Sequence, residues 1–565
     1  MGLVSELRRR NVLRMAVLYA VAAWLIMQVA EVMMSVVGLP AWAGRTVFVL
    51  LGVGFPIALI FSWFYELTPE GISLETDVDL QESITHVTGR RLDFIVISLL
   101  CAGLILFAYD KWWIGPPPEK SIAVLPFENM SGDPEQEFFS DGLSDTLIHV
   151  LAQVSGLKVT ATTSSFYFKG KNVDVVEIAR QLKVGTILEG SVQKAGNRVR
   201  VIAQLVNARD GTHLWSETYD RELKDVFAIQ TEISGQIVRA LKVALGAGEQ
   251  EALAHAQKPT ENLEAYELYL RGRYFWQRRG EDNIRHAVDL LEDATELDPQ
   301  FARAWSSLAA ALITLPQFSE ATYDMHYPRA VSVAQRALAL DDNLAEAYAV
   351  IGEVVRQDKK WAEAEGHYLR AIASEPKNAT AHLWYGEHLA SVGRVRDALE
   401  ETLIAYRLDP LHPGTNMVLA WIYFFLKDLN NALKYGAAAW ELGNDRGLYV
   451  QGIAHLRLGE VDRAMELAEQ YERAEKFNSR VQSFRILVSS HAGFGRIDDA
   501  YRAVSTNLDL LRANAWWVLW QPDMVTFRQD PRFAALVTEL GLLDYWRENG
   551  WPDACQPLGD SVSCE

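Results

Sequence analysis

Small residues recur every 34 positions in the second half of this chain, and that spacing limits the fold more than any other feature. Gly352, Gly386 and Ala420 stand 34 apart; so do Ala364, Ala398 and Ala432, and so do Ala371, Ala405 and Ala439. Asp342, Pro376 and Pro410 close successive units at the same interval. At about 3.6 residues per turn, such a unit holds two helices of roughly three to four turns each, with their connections. Small side chains at fixed offsets let the paired helices approach closely, and the turn residue ends the second one. A helix pair cannot bury its own apolar face, so copies stack into a superhelix with an extended concave groove. The frame reaches back through Ala330/Ala337 and Ala287/Ala294/Pro299, with insertions, and forward, more loosely, through Gly452/Ala464 and Ala500. About seven helix pairs over 264–520 follow.

This period resembles that of tetratricopeptide repeats, and the resemblance implies a groove that takes a protein or peptide segment. Residues on the first helix of each pair line such a groove, which makes Trp305, Tyr348, Trp384, Tyr385 and Trp421 the candidate partner contacts. Each of them also fits the role of a core knob between helices. His382, His388 and His412 show no metal-ligand spacing, because paired ligands on a helix need i and i+4 positions. Residues 521–565 resemble the tail that closes many such arrays and are expected to cap the last repeat. Cys555 and Cys564 are near enough in sequence for a terminal disulfide, whereas Cys101 lies inside an apolar run.

Three apolar runs precede the repeats: Met15 to Val37, Val47 to Tyr65, and Phe94 to Tyr109 with Trp112 and Trp113 beyond it. Each can cover about 30 Å of hydrocarbon at 1.5 Å per residue. They predict a membrane anchor over 1–114 with three transmembrane helices at about 15–37, 47–65 and 93–113. Arg8, Arg9, Arg10, Arg14, Arg90 and Arg91 flank the first and third runs, so the positive-inside rule keeps the N-terminus and the 66–91 loop in the cytoplasm. An odd number of spans then places everything after Trp113 in the periplasm of a bacterium. The expectation is a multi-pass inner-membrane protein with membrane lipid among its partners. Glu31 within the first run and the acidic 66–91 loop are the features of the anchor that invite a functional reading.

Between anchor and repeats, Ser121–Pro126 reads as a buried strand and Ser140 as the N-cap of a helix to about Val154. Leu157–Thr162 reads as a strand and Val173–Leu182 as a helix. Thr186–Gln193 and Val199–Asn207 alternate about Ala195-Gly-Asn197, which signals a hairpin. A further strand at Thr212–Tyr219 and a helix at Val226–Leu245 complete an α+β domain over 119–247. The residues Ser121-Ile-Ala-Val-Leu-Pro-Phe127, Gly132-Asp-Pro-Glu135, Phe139-Ser-Asp-Gly-Leu143, Leu188-Glu-Gly-Ser-Val192, His213-Leu-Trp-Ser-Glu-Thr-Tyr-Asp220 and Asp225-Val-Phe227 resemble the FlgO/TolB-N-terminal-like domain. That family stands beside tetratricopeptide repeats in bacterial membrane signalling proteins, commonly with an adenylate cyclase, winged-helix or kinase domain before the membrane. The fold class expected for the whole chain is multidomain: three transmembrane α-helices, an α+β domain and an all-α tetratricopeptide-repeat superhelix.

Function follows from what is present and absent. With 54 Lys+Arg against 73 Asp+Glu, the net charge of −19 argues against sequence-independent binding of nucleic acid. Glu128, Asp133, Glu135, Glu137, Asp141 and Asp145 lack the spacing of a Ca²⁺ loop and read as a solvated loop and helix start. Ser164-Ser-Phe-Tyr-Phe-Lys-Gly170 reads as a surface loop and not as a nucleophile elbow. No catalytic residue, cofactor or metal is assigned. The leading expectation is a non-catalytic periplasmic protein-binding scaffold held at the membrane. The alternative is a regulatory membrane protein, related to adenylate cyclase-type or transcriptional regulators, that acts through a cytoplasmic partner. Homo-oligomerisation stays open.

Overall fold

The computed structural model describes residues 120–565 apart from 155, 242, 244–258, 279, 318–322, 475–479 and 508–512. Before them it describes 65–68, 71–74 and scattered residues between 16 and 56. Two compact units result, 1–116 and 117–565. In the first, β1 (Tyr65–Thr68) and β2 (Gly71–Leu74) pair antiparallel, with Tyr65 opposite Leu74 and Thr68 opposite Gly71. Tyr65, expected to end the second span, therefore begins a strand. Among the described residues no helix is long and apolar enough to cross a membrane. This overturns the three transmembrane helices and, with them, the multi-pass inner-membrane placement with a cytoplasmic N-terminus and periplasmic domains. An apolar run predicts burial without saying what does the burying. Here the first two runs meet: the Tyr19 hydroxyl donates to the Leu51 carbonyl at 2.8 Å, and its ring lies 5.6 Å from that of Phe55. The third run, 93–113, lies outside the described residues, as do Glu31 and most of the 66–91 loop.

The second unit opens with an α+β domain. β3 (Ser121–Val124) is buried along its whole length because it lies between two parallel neighbours, β5 (Lys158–Val159) and β6 (Thr186–Ala195). From β6 the sheet continues as an antiparallel meander through β7 (Arg198–Asn207) and β8 (His213–Glu222). The short β4 (Glu128–Asn129) adds to β6. Gly190 is required in β6, since a Cβ there would sit 2.1 Å from the Ile202 carbonyl oxygen. Helices α1 (Glu137–Ala152), α2 (Thr162–Phe166), α3 (Val175–Leu182) and α4 (Val226–Ala240) pack on this sheet. Ser140 is inside α1 and buried instead of capping it; Asp133 caps the preceding 3₁₀ turn, accepting from Glu135 N at 2.9 Å. Asp174 caps α3 through Val176 N at 2.8 Å.

Seven helix pairs follow among the described residues: α5/α6 (Leu263–Arg278, Glu281–Leu297), α7/α8 (Ala302–Thr314, Tyr323–Leu340), α9/α10 (Ala345–Gln357, Trp361–Ser374) and α11/α12 (Ala379–Ser391, Val395–Leu408). They continue as α13/α14 (Pro413–Phe425, Leu429–Glu441), α15/α16 (Arg446–Arg457, Val461–Ala474) and α17/α18 (Arg480–Gly493, Ile497–Asn507). The periodic small residues sit at the crossings. A Cβ on Gly386 would lie 2.4 Å from Thr402 Oγ1, and Ala364, Ala398, Ala432, Ala371, Ala405 and Ala439 are fully buried. The repeats are not separate from the α+β domain. Ala265, Tyr266 and Leu270 of α5, with Phe301 and Ala304, share a core with Phe139, Leu143 and Leu147 of α1. Gly142 makes room for Leu270, whose Cδ2 is 2.7 Å from where a Cβ would stand.

After α18 the chain turns back along the array. Trp516 and Trp546 are fully buried, and Trp517 Nε1 donates to Ser391 Oγ at 2.9 Å. Trp520 Nε1 reaches the Ser391 carbonyl at 3.1 Å, Trp546 Nε1 the Val392 carbonyl at 2.8 Å, and Trp361 Nε1 returns to the Leu540 carbonyl at 2.7 Å. Gly393 carries φ +88° against Trp520 and Pro552, where no other residue would fit. The tail thus lies on the turns inside the third and fourth pairs. It ends in a hairpin, β9 (Cys555–Leu558) with β10 (Ser561–Cys564), where Cys555 and Cys564 form a disulfide.

Candidate functional site

The α+β domain and the first helices of the early repeats line a partly open cavity of about 620 Å³. Helical spacing builds one wall. Asp141, Asp145 and His149 follow each other at i, i+4 and i+8 on α1, and all three line the cavity. Across from them, α5 presents Tyr269, Arg273 and Trp276 at similar intervals, α7 presents Arg303, and α9 presents Glu346.

Arg273 bridges the two sides. Its Nη1 donates to Glu346 Oε1 at 2.9 Å, and its Nη2 lies 3.4 Å from Asp145 Oδ2, on the α+β domain. Burial works against the guanidinium charge, but Glu346 and Asp145 outweigh it and hold the pKa above its ordinary value. Ser306 and Ser307 each donate to Glu346 Oε2 at 3.3 Å, and Thr162 donates to Asp145 Oδ1 at 2.6 Å. Asp141 lies 2.5 Å from Lys169 Nζ, yet burial dominates and pushes its carboxyl up to about 6. Two of the six acidic residues expected in solvent, Asp141 and Asp145, therefore turn inward. His149 is held well below its ordinary value, by the Arg303 charge first and by burial second. Burial raises the Glu375 carboxyl, against the opposing pull of Asn378 and Arg303.

A second set of contacts fixes the domain to the array at the turns between successive pairs. Ser164 N donates to Asp409 Oδ1 at 2.9 Å and the Ser164 hydroxyl donates to the same oxygen, while Leu411 N donates to Ser164 Oγ at 2.8 Å. Ala161 N donates to the Leu408 carbonyl at 2.9 Å. Lys377 Nζ donates to the Val154 and Leu157 carbonyls, the latter at 3.0 Å. The expected surface loop at 164–170 is thus part of an internal interface, with Ser164 and Ser165 buried.

The aromatic residues expected in the groove separate. Trp384 lines the cavity. Trp305 is half-buried, with Nε1 donating to the Pro299 carbonyl at 3.1 Å. Tyr348 packs beside Ala345, Ala349 and Trp384. Tyr385 points beneath the tail, donating to Glu365 Oε1 at 2.7 Å, and Trp421 is buried among Phe424, Phe425 and Tyr449. Of the histidines, His382 Nδ1 lies 2.6 Å from Glu401 Oε2, and His412 caps α13 by accepting from Thr415 N at 3.0 Å. His388 is enclosed by the rings of Trp361, Tyr368, Tyr385 and Tyr545.

Residues 351–413 match the family model described as tetratricopeptide repeat, so the array is a scaffold of the kind that mediates protein interaction. Residues 118–235 match the model described as HilA/YgeH-like transcriptional regulator, second domain, where the motifs had pointed to FlgO/TolB. One relative, named "Putative adenylate cyclase 3", from Rhizobium meliloti (strain 1021), is 41% identical over 262 residues, which are 46% of this chain and 41% of that protein. Another, the transcriptional regulator HilA of Salmonella typhimurium (strain LT2), is 21% identical over 330 residues, 57% of this chain and 56% of that protein. A solved structure of Pseudomonas aeruginosa PilF aligns with a TM-score of 0.31 at 21% identity, over 37% of this chain and 91% of that one. The chain thus spans about half the length of the curated relatives it matches, and what it is similar to is a tetratricopeptide-repeat scaffold joined to a HilA/YgeH-type domain.

Proposed function

We propose that this chain is a non-catalytic regulatory scaffold in which the repeats hold their own α+β domain and offer the rest of the array to a protein partner. The observation that carries this reading is the double attachment of the α+β domain, through Arg273 on one side and through Asp409 and Lys377 on the other. A concave face engaged in this way is a built-in competitor for partner segments. Trp305 and Tyr348 are the proposed partner contacts, together with Trp384 when the domain is displaced. A second reading is that the module regulates an output domain elsewhere. It draws support from the names of two relatives, "Putative adenylate cyclase 3" and a transcriptional regulator, each of which matches about half of this chain while the two differ in stated activity. Affinity capture from cell extract with the full chain and with Asp409→Ala tests the first reading. The variant should recover a protein that the full chain holds weakly. Recovery of no protein by either form refutes it.

A further inference from the structure

Most charges around the cavity are committed to one another. Asp145 and Glu346 are tied to Arg273, Asp141 to Lys169, and Lys377 to two backbone carbonyls. One cation is not. Half-buried Arg303 makes no hydrogen bond or ion pair among the described residues, although it lies within electrostatic reach of His149, Tyr269 and Glu375. Arg273 Nε is likewise buried without a partner, as are Asp141 Oδ1 and Thr160 Oγ1, and all three residues belong to the lining. These three atoms lie behind the cavity wall, where protein covers them, so Arg303 is the cation that a polar molecule in the cavity can reach. Trp384 adds a half-buried indole with no ring partner among the described residues. A volume of about 620 Å³ suits a single small molecule better than a peptide segment.

We propose that this cavity binds a small planar organic acid. Its anionic group pairs with Arg303 and its ring lies against Trp384. A neutral ligand of the same shape would leave Arg303 unpaired, and a dianion would meet Asp141 and Glu375. The inference is independent of any protein partner. It concerns the space that remains when the domain is docked.

The probe is 8-anilinonaphthalene-1-sulfonate, which combines a planar body and one negative charge. Titrated into the full chain, it should give saturable one-to-one fluorescence. Arg303→Gln should weaken it by about tenfold or more, the loss expected for a charge-assisted hydrogen bond. Arg303→Lys should recover part of that loss, and Lys434→Gln, on α14, should change nothing. Because Arg303 makes no internal hydrogen bond or ion pair among the described residues, its replacement should leave the melting temperature nearly in place, and an unchanged melt shows that weaker binding does not come from misfolding. Binding should also raise the pKa of His149, read by NMR, as the sulfonate offsets the Arg303 charge. Equal affinity for the uncharged analogue N-phenyl-1-naphthylamine, an unchanged affinity in Arg303→Gln, or an unmoved His149 each overturns the proposal. Displacement of the probe by an acidic aromatic decapeptide at lower concentration than by benzoate also overturns it, in favour of a peptide site.

Discussion

Replacing Asp409 with alanine tests the attachment of the α+β domain at its most localised contact. Asp409 is 4% exposed, and one carboxylate oxygen takes both the amide and the hydroxyl of Ser164, a residue 245 positions away. Each hydrogen bond to a charged acceptor is worth about 1.5–3 kcal/mol. Relief of the buried carboxylate's own desolvation offsets part of that sum, leaving a net loss of about 2–3 kcal/mol. If the contact opens locally, amide exchange at Ala161 and Ser164 should rise roughly 30- to 150-fold, at 1.4 kcal/mol per factor of ten. Amides of α13, which begins only four residues after Asp409, should keep their protection because their bonds lie within the array. Asp409→Asn retains an acceptor and should lose less than half as much. Hydrogen exchange with fragment separation reads all three. Unchanged exchange at Ala161 and Ser164, or an equal rise across α13, would refute the reasoning, since the first denies the contact and the second makes it global.

Arg356 is wholly buried, with Glu353 accepting from its Nε at 2.9 Å and Ser391 Oγ accepting from Nη1 at 3.1 Å. Arg356→Met strands the buried Glu353 and should cost about 3–5 kcal/mol in urea unfolding, with Glu353→Gln added to it restoring part. Asp141 gives a pH signature. Its folded carboxyl is raised from 3.8 to about 6, so its favourable contribution is present below the unfolded value and lost as pH rises through the folded one. Stability in thermal melts should therefore fall between about pH 4 and 6, and Asp141→Asn should flatten that fall. A fragment covering 118–247 should lack a cooperative melt, whereas 118–315 should have one, because α1 packs its core against Tyr266, Leu270 and Phe301.

The repeats were legible because stacking imposes the same requirement every 34 residues: Gly386 faces Thr402 just where Gly352 faces Tyr368. The hairpin at Gly196 was legible because alternation and turn chemistry agree over β6 and β7. The site was not, since its partners lie far apart in sequence. Nothing local to Ser164 points to Asp409. A signal did exist in Asp141, Asp145 and His149, whose i, i+4, i+8 spacing puts a polar stripe on a helix that also carries Phe139, Leu143 and Leu147 in the core. Reading the acids as a loop composition, without their helical phase, placed them in solvent. The apolar N-terminal runs failed differently, because hydropathy scores the wish to leave water and is silent on the destination.

Helix α11 shows how one repeat serves two neighbours. Trp384, near its middle, faces the cavity under the α+β domain, while the adjacent Tyr385 points the other way to Glu365, which also accepts from Tyr545 of the tail at 2.9 Å. Seven residues beyond Trp384, Ser391 receives two tail tryptophans. The turn before α11 contributes Lys377 to the α+β domain, and the turn after it contributes Gly393 and Arg394 to the tail. Domain and tail therefore grip opposite edges of the same layer, each through side chains that the 34-residue pattern does not specify. A repeat array stacked only on itself would leave both edges to solvent. Holding them is what turns a periodic stack into a single body with a cavity between array and domain.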